Sequence, residues 1–186
     1  MSLDLITPST EEPVSLAELK AHLRVAHGDE DAAIAAYGLA ARRAVEERGG
    51  LALVSQDWRL ALDRMPEGVL VLPRSPVFSV ISVCVIDRAG LSSLVPASLY
   101  EVEAGAAGRL VARGAWPYSD RQIARVRIDF TAGWPSAADA PEELKLAVKM
   151  LAAHFYENRE GALAERLFST PQTVDALIAP YRRVRL

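Results

Sequence analysis

Apolar residues change their spacing along this chain, and each change marks an element. The first helical stretch is "VSLAELKAHLRV". Ser15 and Glu18 are spaced as a capping box, and Val14 is placed to staple onto Leu19. This predicts a short helix over about 16–25, broken by "HGDED". A second helix is predicted from near Asp29 to Gly49-Gly50, with acidic residues at its start and Arg42, Arg43 and Arg48 near its end, as the helix dipole favours. Its inward face reads as largely alanine, with Ile34, Tyr37, Ala41 and Val45. Side chains that small allow close approach of a neighbouring helix or subunit. The first ten or so residues, in a stretch with Pro8 and Pro13 and little pattern, read as an extended arm.

The spacing then shortens to two. Val54, Trp58, Leu60 and Leu62 alternate with polar residues, predicting a half-buried strand. "VFSVISVCVID" is apolar on both faces and reads as a central strand, with Asp87-Arg88-Ala89-Gly90 as its hairpin turn. Further strands are predicted at 99–103, 109–112 and 123–131, and Pro73, Pro76, Pro96 and Pro117 punctuate the region. Helical spacing returns after "GWPSAADAP": Leu144, Val148, Leu151 and Phe155 form one apolar stripe, and Glu142 and Glu143 suit its first turn. A weakly patterned linker, 161–169, leads to a last short helix that Thr170 can cap and Pro171 can open. The fold class expected is α+β in a single domain, 1–186: N-terminal helices over 1–50, an inserted antiparallel β section over 51–133, a core helix within 134–160, and a C-terminal linker, helix and tail over 161–186.

Composition narrows the function. Hydrophobic residues make up 51% of the 186 positions, enough for a folded core. The net charge of −3 argues against a dedicated nucleic-acid-binding module. The N-terminus lacks the basic and apolar regions of a signal peptide, and no stretch approaches a membrane span, so a soluble cytoplasmic product is expected. The single cysteine, Cys84, lies in an apolar run and reads as a small buried hydrophobe.

Candidate chemistry is thin. "AVKMLAAHFYENRE" places His154 and Glu157 three apart on a helix, a spacing used in bundle di-metal sites. Such sites need a second Glu/His pair, and His22 and His27 straddle a predicted helix end. The plainer reading is that His154 and Glu157 flank the apolar stripe, while Glu157, Arg159 and Glu160 make surface or intersubunit ion pairs. There is no G-x-S-x-G elbow and no Walker loop. "GAAG" at 105–108 reads as a strand connection, and Asp29-Glu30-Asp31 as a helix cap. Glu11 and Glu12 lie in a segment that looks mobile, and Trp116-Pro117 and Trp134-Pro135 read as turn anchors. No catalytic residue, cofactor or metal is expected. The closing "APYRRVRL" gathers a tyrosine and arginines, a composition suited to an interface anchor.

Taken in order, the pieces resemble the head–tail connector (adaptor) proteins of tailed bacteriophages and gene transfer agents. Those pieces are "EPVSLAELKAHLRV", "HGDED" and the alanine-rich helix, "LVSQDWRLALDRMP", "LPRSPVFSVISVCVID", "LYEVEAG", "VRIDFTAGW", "PEELKLAVKMLAAHFYENRE" and "VDALIAPYRR". The resemblance implies a ring-forming virion structural protein, roughly a dozen copies beneath the portal, joined through heterologous contacts. It implies as partners the chain itself, the portal protein, a stopper or tail protein, and double-stranded DNA passing through the lumen without specific binding, with no membrane. It places the protein at the neck of a phage or gene transfer agent particle. Portal binding is carried to Leu177, Ile178, Tyr181, Arg182 and Arg183, on a segment (171–186) expected to be removable while the core still folds. Ring contacts are carried to Tyr37, His154, Tyr156, Glu157 and Arg159. The alternatives are another neck component, a stopper or tail-terminator, or a small metal-dependent hydrolase using His154 and Glu157.

Overall fold

The computed structural model describes residues 1–65, 68–158 and 171–182. The linker 161–169, Thr170, Arg159, Glu160 and Arg183 therefore lie outside the described residues. The chain forms two compact units: Met1–Ser9 with Ser55–Trp134, and Thr10–Val54 with Pro135–Leu186.

The first unit is built of β-strands. Strands β1 (Ser2–Thr7), β2 (Gln56–Leu62), β8 (Val126–Ala132), β4 (Val77–Ile86) and β5 (Ser92–Leu94) form a five-stranded sheet in the order β1-β2-β8-β4-β5. Every neighbouring pair is antiparallel. The alternation read from the sequence sets the register: Trp58, Leu60 and Leu62 lie opposite Phe130, Ile128 and Val126, and this face is buried. On the other face Arg59 donates from Nε and Nη2 to the Asp129 carboxylate at 2.7 and 2.8 Å, and Thr131 donates to Asp57 at 2.7 Å. β1 pairs with β2, so the expected N-terminal arm is in fact an edge strand.

A smaller sheet, in the order β3-β7-β6, joins β3 (Val69–Val71), β7 (Arg109–Ala112) and β6 (Tyr100–Glu103). "GAAG" is the connection between β6 and β7. Gly105 adopts φ +99, a conformation that suits glycine, and exchanges two backbone hydrogen bonds with Val77 at 2.9 and 2.7 Å. Gly108 packs so closely on Val77 that a Cβ there would sit 2.1 Å from its side chain.

Two further expectations need correcting in this unit. The middle strand of the large sheet is β8, and β4 lies next to the edge. β4 is apolar on both faces because its pairing with β8 slips at Phe78 and Ile81, turning both side chains to solvent. Cys84 is half-buried rather than enclosed, since it shares the polar face of the sheet with Arg127, its partner in the register.

The second unit packs α1 (Leu16–Leu23), α2 (Asp31–Gly49), α3 (Glu142–Glu157) and α4 (Gln172–Ile178). The capping box at Ser15 is formed, with its hydroxyl accepting from Glu18 N–H at 3.3 Å and Glu18 accepting from Ser15 N–H at 2.8 Å. Leu144, Val148 and Leu151 of α3 are buried with Ile34, Ala41 and Val45 of α2. Apart from the buried Ala41, the alanines of α2 do not form its inward face as expected: Ala32, Ala33, Ala35, Ala36 and Ala40 are exposed. Close approach comes instead from glycine, for a Cβ on Gly38 would lie 2.5 Å from Leu19. Arg42 is not a solvated helix-end cation. It is buried against Glu46 and lies 2.8 Å from Glu12. The Glu11-Glu12 segment is likewise tied down, with Glu11 accepting from Ala137 N–H at 2.7 Å.

Candidate functional site: the α3 shoulder and the C-terminal segment

Four of the five residues named for ring contacts, Tyr37, His154, Tyr156 and Glu157, fall on α2 and α3 of the helical unit. Tyr37 and Tyr156 meet edge to face with centroids 6.4 Å apart, and the Tyr156 hydroxyl donates to Glu30 at the start of α2. The helical spacing of α3 then fixes the rest. His154 is half-buried, its Nδ1 3.4 Å from Asn158 Nδ2, and its carbonyl accepts from Asn158 at 2.7 Å. Glu157 is exposed on the last turn, and Arg159 lies outside the described residues. Two of the five are thus drawn together, two lie beside them along α3, and one is not described. Among the described residues no group of three or more His, Cys, Asp or Glu is arranged to hold a metal ion.

The C-terminal residues divide by role. Ile178 is fully buried, and its Cγ2 would lie 3.3 Å from a Cβ placed on Gly49. Val174 is also fully buried. The segment thus places two side chains, Val174 and Ile178, in the core of the helical unit. Leu177 is half-buried and Arg182 exposed. Tyr181 donates to Glu143 at 3.2 Å, and desolvation, with the Glu143 bond, pushes its phenol above the ordinary value. Asp175 receives Arg182 Nη2 at 2.7 Å and lies 3.5 Å from Arg48. Arg183 lies outside the described residues.

Sequence reasoning missed Arg48, Glu143 and Asp175 as the groups that hold this segment. No local signal marks them, because each is an ordinary solvated charge until the fold brings α4 against α2 and α3. In the β unit a cleft of about 450 Å³, open to solvent, is lined by Met1, Leu62, Asp63, Arg64, Gln122 and Arg125. No helix among the described residues is long and apolar enough to cross a membrane.

No family model and no curated protein matches the chain. Solved structures do. A chain from the neck of an empty gene transfer agent particle, computed with C6 symmetry, is 36% identical with a TM-score of 0.85, covering 100% of this chain and 97% of that one. The chain belongs to the head–tail connector family of phages and gene transfer agents. A chain of the virion of a native gene transfer agent particle is 35% identical with a TM-score of 0.83, and one from a native neck computed with C12 symmetry is 36% identical at 0.81, with the same coverage. The connector is thus of mixed α+β architecture, and its class of work is structural, in the neck of the particle.

Proposed function

We propose that this connector is the head–tail adaptor: a ring of twelve copies, as the C12 symmetry computed for the related neck suggests, that joins the portal to the next neck or tail component and continues the DNA channel. The observation that carries this reading is the full-length likeness to chains of that neck. The work is mechanical and involves no turnover. A net charge of −3 suits such a channel, because each neutralised phosphate would add affinity and slow the passage of DNA.

In this reading Tyr37, His154, Tyr156, Glu157 and Arg159 lie at contacts between neighbouring copies. Leu177, Tyr181, Arg182 and Arg183 face the portal, while Ile178 anchors α4 to the protomer. A ring interface of this kind is heterologous, with two different patches on each subunit. Cryo-electron microscopy of particles carrying a tagged connector tests the assignment. Density for the tag in a ring directly beneath the portal is expected. Density at the distal end of the neck would make the chain a stopper or tail-terminator.

A further inference from the structure

A closed ring needs two unlike surfaces per copy that fit each other, and the large sheet of the β unit ends on two such edges. On one side β1, Ser2–Thr7, has β2 as its one partner strand among the described residues. On the other, β4 runs from Val77 to Ile86, but β5 covers only Cys84–Ile86 and a single bridge to Gly105 closes Val77. The outer edge of Phe78–Ser82 therefore pairs with no strand among the described residues.

The two edges are close in length, six residues against five, and alike in character. Leu5 and Ile6 are 43% and 47% exposed, and Phe78 and Ile81 are 63% and 57% exposed. Neither stretch, "SLDLIT" or "FSVIS", contains the proline or lysine that commonly guards an edge, and Asp4 is the one charge in either. The remaining edges are poorer candidates: β3 and β5 are three residues long, and β6 carries Glu101 and Glu103.

Strand direction also fits. β1, β2, β8 and β4 are antiparallel in succession, so β1 and β4 run in opposite senses. The step between neighbours in a twelvefold ring is a small rotation, which leaves the neighbour's strands nearly aligned with their own counterparts. Its β1 therefore arrives antiparallel to β4, in the pairing that gives the straighter hydrogen bonds.

We propose that β1 of one copy pairs along Phe78–Ser82 of the next, so that the β units join head to tail into one continuous sheet around the ring. The inference rests on the ring reading above. It is β-augmentation with a second copy of this chain as the occupant.

The test uses the full-length chain in a Cys84→Ser background with Leu5→Cys, Ile81→Cys, or both, and a short bis-maleimide. Each single variant should stay uncrosslinked by itself. A mixture of the two should give dimers and nothing larger, and the double variant a ladder of multimers. In the unmodified chain, amides of residues 2–7 and 78–82 should exchange at least about tenfold more slowly once assembled. Self-crosslinking of either single variant would mean a two-fold contact and overturn the proposal. Rings visible by electron microscopy, with no ladder and no added protection, would overturn edge pairing and leave the ring reading standing. A chain that stays monomeric at every concentration, with or without portal complexes, would overturn both.

Discussion

Arg42 and Glu46 form an ion pair one helical turn apart with both side chains buried, Nη1 lying 3.2 Å from Oε2. The pair does more than neutralise itself. Arg42 Nε reaches Glu12 at 2.8 Å, and Glu46 accepts the Leu53 N–H at 2.9 Å. It thereby fixes the segment entering α1 and the segment leaving α2 onto the same helix. Buried pairs contribute little against an apolar replacement, but breaking one strands a charge away from water.

Arg42→Met should therefore cost about 3 kcal/mol, read from the denaturant midpoint. Adding Glu46→Gln should recover part of that loss, because it removes the stranded charge and keeps an acceptor for Leu53. A double variant no more stable than Arg42→Met would show that packing of the arginine stem matters more than its charge.

Gly108 lies against the buried Val77 side chain with no room for a Cβ. Gly108→Ala should destabilise the β unit by about 2 kcal/mol through overpacking. Val77→Ala opens space at the same spot, so the double variant should lose less than the sum of the singles. A thermal-unfolding double-mutant cycle measures this.

The capping box carries an acid sensitivity. Hydrogen bonds from the Ser15 side chain and backbone hold Glu18 below its ordinary pKa of 4.5. A lowered folded-state value means that this contribution is complete above the ordinary value and is lost as pH falls through the folded one. Ser15→Ala should cost about 1 kcal/mol at neutral pH, and its deficit relative to the parent should shrink in acid. Urea midpoints at pH 7 and pH 3 check the sign.

In the C-terminal segment, anchoring and docking should separate. Ile178→Ala should cost about 3 kcal/mol, because the side chain is fully buried. Arg182→Ala removes one exposed contact with Asp175 and should leave stability within about 0.5 kcal/mol. Attachment of tails to heads should nonetheless fall in the Arg182 variant. Normal yields of joined particles from a stably folded Arg182→Ala, Tyr181→Phe protein would remove both residues from the portal-facing set.

Much of the architecture was legible because local rules act within a few residues. The capping box at Ser15 and the alternation at Trp58–Leu62 each state their element by themselves. The hairpin turn at Asp87–Gly90 does the same, with Gly90 N–H donating to Asp87 O at 3.1 Å. The orientation of α2 was not legible. Alanine tolerates either side of a helix, so spacing could not reveal that five alanines face outward while Gly38 and the Arg42–Glu46 pair face in.

Periodicity, caps and turn residues determined where the helices and most of the strands lie, though not β1, β3 or β5, that the class is α+β, and that an extended section interrupts the helices. Those signals depend on contacts between near neighbours in the chain. Which strand stands at the sheet centre, which edges stay open, and which solvated charges hold the C-terminal segment were decided by tertiary structure alone. Those outcomes depend on residues far apart in sequence: Ser2–Thr7 paired with Gln56–Leu62, and Asp175 set against Arg48. No local pattern encodes such partners, because each becomes a neighbour only after the chain has closed around its core.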